Sequence, residues 1–586
     1  MKTKLIPLIM LLTLVLLSDI VAQFPARQDV IWARNIGTAT ITLDGRLDEA
    51  AWARAESLQV RFGQSAGLPT SGWRSEFQPE AYTDPTRAVV KFLAKDNFLY
   101  IAFNIPDSSI GGTADWARWD GILMNIPDKS VRTRPVAAAE FFYTYWLAGL
   151  ANPTPIVGSL PRFVGRFGNF TDTTRTPEQR AAWDAGTRII GRSNDAGRDT
   201  AWVVEMQIDV SRLGYNLTRT AGDIIMANLS IWDADYLFEG VPSRISASRT
   251  HWQSPWGNAN ANNLGRIHVR PDITLTSTLP VVAPDVVLGN AVGLAEPVID
   301  GQLNDFVWSR LPGFQIAWND TILRQSYSGI GPFISGQFQP TLIPGLTPPI
   351  LDPSRARIKM FFRDRFLYLS ADINDQLVQG VDAFDRTDGI GFIIGHRGAF
   401  NLENTMEFRL LRVAFAGNGQ ARPFDYLPVL IDTLAAEFRV ALKGATTVNN
   451  NADVDEGYRV EMKIDLTHLG YPANRGDGVL FMGIVLSDGD SFDDSTNNYG
   501  TRTWWFREHG GGPAAAWMMM DPNLLLSNVE EEVSILPNSL TLYGNYPNPF
   551  NPSTRIKFAT PTVGDVSINV FNTIGQLVHS EKLMGL

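Results

Sequence analysis

The stretch Val204-Glu205-Met206-Gln207-Ile208-Asp209 occurs again, slightly altered, as Val460-Glu461-Met462-Lys463-Ile464-Asp465, 256 positions later in the chain. In both stretches an apolar residue alternates with a polar one. A period of two is typical of a β-strand with one buried face. The two stretches therefore predict the same half-buried strand at two places in a chain of 586 residues.

Further motifs around this strand repeat in the same order, which indicates a tandem duplication. The repeated pairs are Asp44-Gly45-Arg46-Leu47 with Trp52 and Asp300-Gly301-Gln302-Leu303 with Trp308, Phe98-Leu99-Tyr100 and Phe366-Leu367-Tyr368, and Asp120-Gly121 and Asp388-Gly389. The first pair keeps the offset of 256, and the other two share an offset of 268. We predict an all-β protein with two immunoglobulin-like or jelly-roll sandwiches at 27–272 and 285–525.

The two ends of the chain differ from these repeats. Residues 1–22 carry an early positive charge, an apolar run at 5–17 and a small residue at 22, which is the order of a signal peptide. No later stretch is apolar enough for a membrane helix, so none is expected in the mature protein. Residues 537–586 contain short alternating strands and form a separate β segment.

Composition excludes several classes of function. The net charge of −11 and the absence of a basic run argue against nucleic acid as a partner. The chain has no cysteine, which excludes disulfides, thiol nucleophiles, thiolate metal sites and covalent haem attachment through cysteine. Because no nucleophile or metalloprotease motif occurs, no enzymatic activity is expected. Glu205 and Glu461 are expected to hold the sandwiches together by hydrogen bonds or salt bridges.

The repeated D-G-x-L-(4)-W opening, the F-L-Y strand, the W-D-G or T-D-G step and the V-E-M-x-I-D strand resemble the family 9 carbohydrate-binding modules. These modules belong to a wider group of DOMON-like sandwiches that includes haem-binding members. The resemblance implies non-catalytic binding of a polysaccharide or glycan, alone or as an accessory to glycoside hydrolysis by an enzyme.

The segment Tyr546-Pro547-Asn548-Pro549-Phe550-Asn551-Pro552-Ser553-Thr554 and the G-Q-L-V step at 575–578 resemble the C-terminal sorting domain of type IX secretion cargo. This resemblance implies the type IX secretion machinery as a partner and a location outside a Gram-negative cell, either secreted or at the outer surface. Such domains extend further beyond the G-Q-L-V step, so the sorting domain at 537–586 is expected to be incomplete.

Sugar binding requires flat aromatic faces and polar groups that converge on hydroxyls. The candidates lie beside predicted strands or in late loops of each copy, and they are Trp116, Trp119, Asp120, Trp252, Trp256, Trp504 and Trp505. The second copy has Thr387 where the first has Trp119. If Trp119 contacts sugar, the second copy is expected to bind differently or not at all.

Clustered aspartates offer a second kind of site, because carboxylate oxygens are ligands for calcium. The candidates are Asp233, Asp235, Asp488, Asp490 and Asp493. Aspartates in loops also form turns without any metal, and that alternative stays open.

Two alternatives to carbohydrate binding also remain. One is a structural or adhesive surface protein whose sandwiches bind no sugar. The other is a non-covalent haem protein, in which Met206 and Met462 would be the axial ligands, although methionines on an apolar strand face are usually core residues.

Overall fold

The computed structural model describes residues 27–65, 68, 71–77, 84–112, 118–132, 137–146, 156–165, 167–168, 175–235, 246–255, 265–311, 313–320, 335–342, 344–381, 386–509, 515–526, 541–546, 555–559, 566–571 and 577–583. The predicted signal peptide at 1–22 lies outside the described residues. Most of the regular structure in the described residues is β-strand, and the helices are few and short. The prediction of an all-β protein is therefore confirmed.

The first half of the described chain forms two sheets. Its strands are β1 (Val30–Trp32), β2 (Arg34–Asn35), β3 (Glu56–Arg61), β4 (Gly72–Phe77), β5 (Arg87–Lys95), β6 (Phe98–Pro106), β7 (Gly121–Arg132), β8 (Ala137–Tyr145), β9 (Arg162–Gly165), β10 (Trp183–Ile190), β11 (Ala201–Asp209), β12 (Asp223–Asp233), β13 (Ala247–Trp252) and β14 (Gly265–Val269). An eight-stranded sheet has the order β1-β14-β12-β7-β8-β9, with β13 paired to β12 and β4 paired to β13. A six-stranded sheet has the order β10-β11-β6-β5-β2, with β3 on β5.

The two sheets of the first half enclose one apolar core. Phe92 and Phe103 reach it from the six-stranded sheet, and Ile122 and Met124 reach it from the eight-stranded sheet. Successive side chains of a strand point to opposite faces, so only alternate residues enter this core. The repeated strand takes the predicted position, because Met206 of β11 is fully buried there.

The second half forms one continuous sheet of thirteen strands that folds over its own core. Its strands are β15 (Val286–Asn290), β16 (Phe314–Ala317), β17 (Gly336–Phe338), β18 (Arg355–Arg363), β19 (Phe366–Asn374), β20 (Gly389–Phe400), β21 (Met406–Phe415), β22 (Ala421–Asp425), β23 (Ala436–Leu442), β24 (Tyr458–Asp465), β25 (Val479–Asp488), β26 (Thr501–Trp505) and β27 (Ala516–Leu525). The central order is β22-β21-β20-β25-β27-β15-β18-β19-β24-β23. β15 is parallel to both β27 and β18 and so joins the two layers.

The few helices are short and sit between strands. They are α1 (Pro177–Ala182), α2 (Phe306–Ser309) and α3 (Leu427–Asp432), together with 3-10 turns at Val210–Leu213, Leu466–Leu469 and Ser495–Asn497. A capping box between Thr176 and Gln179 starts α1. None of the described helices is long and apolar enough to cross a membrane.

The C-terminal segment contributes two hairpins. The first pairs β28 (Thr541–Tyr546) with β29 (Arg555–Ala559), and the second pairs β30 (Val566–Phe571) with β31 (Leu577–Leu583). Both pairs are antiparallel, in agreement with the predicted separate β segment.

The two halves pack directly against each other. Phe408, Phe481 and Trp504 of the second half belong to the core cluster of the first half, while Met226 of the first half belongs to that of the second. Apolar burial across the junction is the main force that can hold two such bodies together.

Polar contacts reinforce the same junction. Asp285 precedes β15 and accepts hydrogen bonds from the guanidinium groups of Arg27 and Arg266, at 2.8 to 3.1 Å. Asp29 also pairs with Arg27, at 2.8 Å, and the side chains of Arg27, Arg266 and Asp285 are almost completely buried.

Candidate functional site

Three aspartates meet where three strands of the first half begin or end. Asp107 follows β6, Asp120 precedes β7, and Asp233 is the last residue of β12. One carboxylate oxygen from each lies within 4.8 Å of the other two, and all three residues are buried. We call this group the first triad.

The second half contains an equivalent group, the second triad. Asp375 follows β19, Asp388 precedes β20, and Asp488 is the last residue of β25. Their carboxylate oxygens also lie within 4.8 Å of one another, and all three are buried. The two triads therefore occupy matching strand ends in the two halves.

Backbone donors orient the central carboxylate of each triad. Asp120 accepts hydrogen bonds from the N–H groups of Gly111 at 2.6 Å and Ala234 at 2.7 Å. Asp388 accepts them from the N–H groups of Gln379 at 2.5 Å and Gly489 at 2.8 Å. Each of these carboxylates therefore connects loops that are far apart in the sequence.

The electrostatics of both triads disfavour the charged form. Burial, together with neighbouring carboxylates, raises the pKa of Asp107 and of Asp375 to about 7. The same causes hold the pKa of Asp120, Asp233 and Asp388 well above the usual range. Several carboxylates gathered out of water require either protons or a cation.

The donor set fits a hard divalent cation. Carboxylate oxygens suit calcium or magnesium and do not suit a soft metal. In the second half, Asp488 and Asp490 each have one buried oxygen that has no hydrogen-bond partner among the described residues. These oxygens are available as metal ligands, and the residues of the site therefore fit calcium.

The predicted calcium ligands are partly brought together. Asp233 and Asp488 belong to the triads, and Asp235 and Asp490 are buried two residues beyond them. The Asp490 carboxylate accepts a hydrogen bond from the Tyr499 hydroxyl at 2.6 Å, and burial raises its pKa to about 8. Asp493 is exposed in an open groove of about 470 Å³ and is not a member of the triad.

The predicted sugar contacts fall in several environments. Trp116 and Trp256 lie outside the described residues. Trp252, Trp504 and Trp505 are only 1–3% exposed and belong to the apolar cores, so their positions argue against a sugar-stacking role. The structure likewise corrects the role of Asp120, which is fully buried and part of the first triad.

Trp119 belongs to an aromatic group on the outer face of the eight-stranded sheet. Its ring stacks on Trp232, with centroids 5.0 Å apart, and packs against Tyr145 at 5.3 Å. On β8, Phe141 and Tyr143 stack at 4.9 Å. Trp119 is 7% exposed, whereas the two tyrosines and Phe141 are half-buried.

Polar side chains continue this face across the sheet. Tyr143 pairs with Leu123, which pairs in turn with Ser230 of β12, and Ser230 pairs with His251 of β13. Because paired residues share a face, Ser230 and its alternate neighbour Asn228 lie on the same side as the aromatic group. We call Phe141, Tyr143, Tyr145, Trp119, Trp232, Asn228, Ser230, Arg249 and His251 the polar-aromatic face.

Asn228 and Ser230 distinguish this face from an ordinary packed surface. Both are fully buried, and neither the Asn228 amide nor the Ser230 hydroxyl hydrogen-bonds to a described residue. A buried polar group without a partner costs about 1–3 kcal/mol. Its presence beside aromatic rings therefore requires an explanation.

Sequence reasoning missed most of this face. The run Phe141-Phe142-Tyr143-Thr144-Tyr145-Trp146 was the available signal, because aromatic rings occupy both sides of one strand. Phe142 and Trp146 enter the core, and the alternate residues face outward.

The second half has different residues at the matching register. Gly389 pairs with Ala414 and Gly391 with Arg412, where Gly121 and Leu123 pair with Tyr145 and Tyr143. Gly483 and Val485 stand where the first half has Asn228 and Ser230. This face of the second half is therefore largely apolar, and Val485 packs in the core cluster of the first half.

The remaining sequence predictions concern the cores. Trp52 and Trp308 of the repeated opening motif are each 1% exposed and belong to apolar clusters. Glu205 and Glu461 bind backbone and indole donors, which confirms their predicted role in tying the sandwiches. Met206 and Met462 are fully buried in the apolar cores, so their surroundings do not favour haem ligation.

Comparisons with known proteins give a limited picture. No family model matches the chain, and no curated protein matches it. A family 9 carbohydrate-binding module from Caldicellulosiruptor kristjanssonii, solved with cellotriose, is 13% identical at a TM-score of 0.26, over 43% of this chain and 100% of that chain. The same identity and TM-score apply to a family 9 module from that organism solved with glucose, over 41% of this chain and 95% of that chain.

A protein from Bacteroides uniformis, to which carbohydrate binding is ascribed, is 8% identical at a TM-score of 0.23, over 41% of this chain and 99% of that chain. These TM-scores are too low to carry an argument about this chain.

Proposed function

We propose that this protein is a non-catalytic carbohydrate-binding protein whose sugar site is the polar-aromatic face of its first half. The observation that carries the proposal is the half-buried aromatic group of Phe141, Tyr143 and Tyr145, which lies on the same side of the sheet as the polar side chains of Asn228 and Ser230. Sugar hydroxyls are donors and acceptors that suit such polar side chains.

The aromatic group supports the same assignment. Tyr143 and Tyr145 are half-buried rings with polar tips, and sugars bind to such side chains through their C–H groups and hydroxyls. Arg249 lies over the Trp232 ring at 5.0 Å and so packs against the same aromatic group. Aromatic and polar groups thus converge on one side of the sheet.

Pull-down of the full chain on cellulose, xylan, mannan and β-1,3-glucan tests this proposal. We expect retention on at least one polymer and a loss of about tenfold in affinity, which is about 1.4 kcal/mol, in Tyr143→Ala and in Asn228→Ala. Arg412→Ala is the matched control, because Arg412 takes the register position of Tyr143 in the second half. Thermal unfolding of each variant checks that the loss is not a loss of fold.

Retention that is equal in all these variants would contradict the proposed site. A chain that binds none of the polymers would favour the structural or adhesive alternative.

We also propose that each triad binds one calcium ion. Asp107, Asp120 and Asp233 would hold it in the first half, and Asp375, Asp388 and Asp488 in the second. A calcium ion would supply the positive charge that these buried carboxylates lack, and so fix the strand ends that carry them.

The tandem duplication and the route of export are proposals as well. The shared spacing of the motifs and the matching triads support a duplicated sandwich at 27–272 and 285–525. The signal-peptide pattern at 1–22 and the motif at 546–554 support secretion by the type IX machinery to the outside of a Gram-negative cell.

A further inference from the structure

A turn from the second half rests on the edge of the polar-aromatic face. Residues 401–405 connect β20 to β21, and the carbonyl of Glu403 accepts a hydrogen bond from the N–H of Trp73 on β4 at 2.9 Å. The Asn404 amide donates to the Trp73 carbonyl, also at 2.9 Å. A Cβ at Gly72 would lie 2.2 Å from the Glu403 carbonyl oxygen, so this close approach requires glycine.

The side chain of Glu403 enters a group of four charges. Its two carboxylate oxygens each accept a hydrogen bond from Arg249 at 2.7 Å, and one also accepts from Arg74 at 3.2 Å. Glu76 contacts the same two arginines, at 2.9 Å and 3.8 Å. Two guanidinium groups therefore face two carboxylates, and the group has no net charge.

The charge balance of this group depends on Glu403, which belongs to the second half of the chain. Among these four side chains, Arg249, Arg74 and Glu76 come from the first half, so Glu76 alone would leave one positive charge in excess. The corresponding Arg502 of the second half donates to a carboxylate of its own half, Glu508, at 2.7 Å. The first half receives the second of its two counter-charges from Glu403.

We propose that Glu403 is a specificity-determining residue, which neutralises Arg249 and Arg74 so that the site selects neutral glycans over anionic ones. This inference rests on the proposed sugar site. A guanidinium group without a carboxylate partner binds the carboxylate of a uronic acid strongly, often through two hydrogen bonds. The carboxylate of Glu403 already occupies the place beside the two arginines that the carboxylate of a uronic acid would take. Its negative charge therefore excludes an anionic sugar.

The test compares the full-length protein with Glu403→Gln on polygalacturonate and on the four neutral polymers, at low and high salt. We expect Glu403→Gln to gain affinity for polygalacturonate by about tenfold at low salt, and to lose the gain at high salt. Glu437→Gln is the control, because it makes the same change at an exposed position of the second half.

A double variant separates charge from structure. Glu403→Gln with Arg74→Gln restores the charge balance, so we expect the affinity for polygalacturonate to return to the wild-type value. Arg74 is suitable because its side chain is 41% exposed. A merely structural role for Glu403 would produce neither the gain nor its reversal.

The outcomes are distinct from those for the proposed function. A folded Glu403→Gln variant that gains nothing overturns this inference, even where Asn228→Ala abolishes binding to a neutral polymer. A wild-type protein that binds polygalacturonate as well as any neutral polymer also overturns it. If the wild type binds no neutral polymer, the proposed sugar site is removed. A gain of affinity for polygalacturonate in Glu403→Gln would then report only the change of charge at this residue.

Discussion

At the scale of single residues, Glu205 and Glu461 show why the repeated motif is a structural one. The Glu205 carboxylate accepts hydrogen bonds from the N–H groups of Asp44 at 3.1 Å and Gly45 at 2.6 Å, and from the Trp52 indole at 2.9 Å. Glu461 binds Asp300, Gly301 and Trp308 in the same manner. One carboxylate therefore fixes the opening turn and its tryptophan to a central strand in each half.

Removing this carboxylate leaves three donors without their acceptor. We expect Glu205→Ala to lower the free energy of unfolding by about 3 kcal/mol or more, because each buried unsatisfied group costs about 1–3 kcal/mol. Urea unfolding measures the change, with the exposed Glu437→Ala as the control. A loss below about 0.5 kcal/mol, which is typical of a surface substitution, would contradict this role.

At the scale of elements, the triads are properties of strand ends and not of any one motif. Asp107, Asp120 and Asp233 come from three strands and meet only when those strands pair. The period of two in the sequence predicted the strands, and the repeated Asp-Gly step pointed to Asp120. The sequence could not reveal the triads, because the distances between strand ends depend on the order of strands in the sheet.

The burial of Trp252 and Trp504 has a related cause. Trp252 and Trp504 lie on strands whose direction and pairing decide which face they occupy, and both faces of a packed sandwich can be buried. Local composition carries no information about that packing. The strand that carries Tyr143 and Tyr145 could be predicted, but the polar-aromatic face to which the two tyrosines belong could not.

Calcium should stabilise the protein in a manner that depends on pH. The pKa of Asp107 and of Asp375 is raised from 3.8 to about 7 in the folded chain without metal. For an acid with a raised pKa, stability is fully present below the unfolded value and is lost as the pH rises towards the folded value. Without metal, the protein should therefore be less stable at pH 8 than at pH 5.

Calcium reverses this trend, because it binds the ionised carboxylates. At a concentration of 100 times Kd, each site adds about 2.7 kcal/mol. Thermal unfolding at pH 5 and pH 8, with calcium and with chelator, measures both effects. A calcium-induced shift that is absent at pH 8, or that persists in Asp120→Asn with Asp388→Asn, would contradict the assignment to the triads.

At the scale of the whole molecule, the two halves form one body. Core residues of each half, such as Phe408 and Met226, pack within the other, and Asp285 joins Arg27 and Arg266 at the junction. The arginines hold the pKa of Asp285 below its usual range, so this carboxylate stays ionised. The sugar site proposed for the first half and the packing contributed by the second half therefore belong to one structure.

Breaking this junction should affect both halves together. We expect Asp285→Ala to lower stability by about 3–5 kcal/mol, because it leaves buried guanidinium groups with too few carboxylates. Calorimetry on the wild type should show residues 27–526 unfolding in one transition. Two resolved transitions in the wild type, or an unchanged midpoint in Asp285→Ala, would contradict this coupling.

The pairing of Arg27 with Asp285 also affects the order in which the parts of the chain can fold. The two residues are 258 positions apart, so in a chain synthesised from its N-terminus Arg27 has no Asp285 to pair with until the whole first sandwich has been made. Contacts this distant in sequence form slowly, because a long loop must close before they contribute. We therefore expect the first half to complete this part of its fold only after Asp285 has been made.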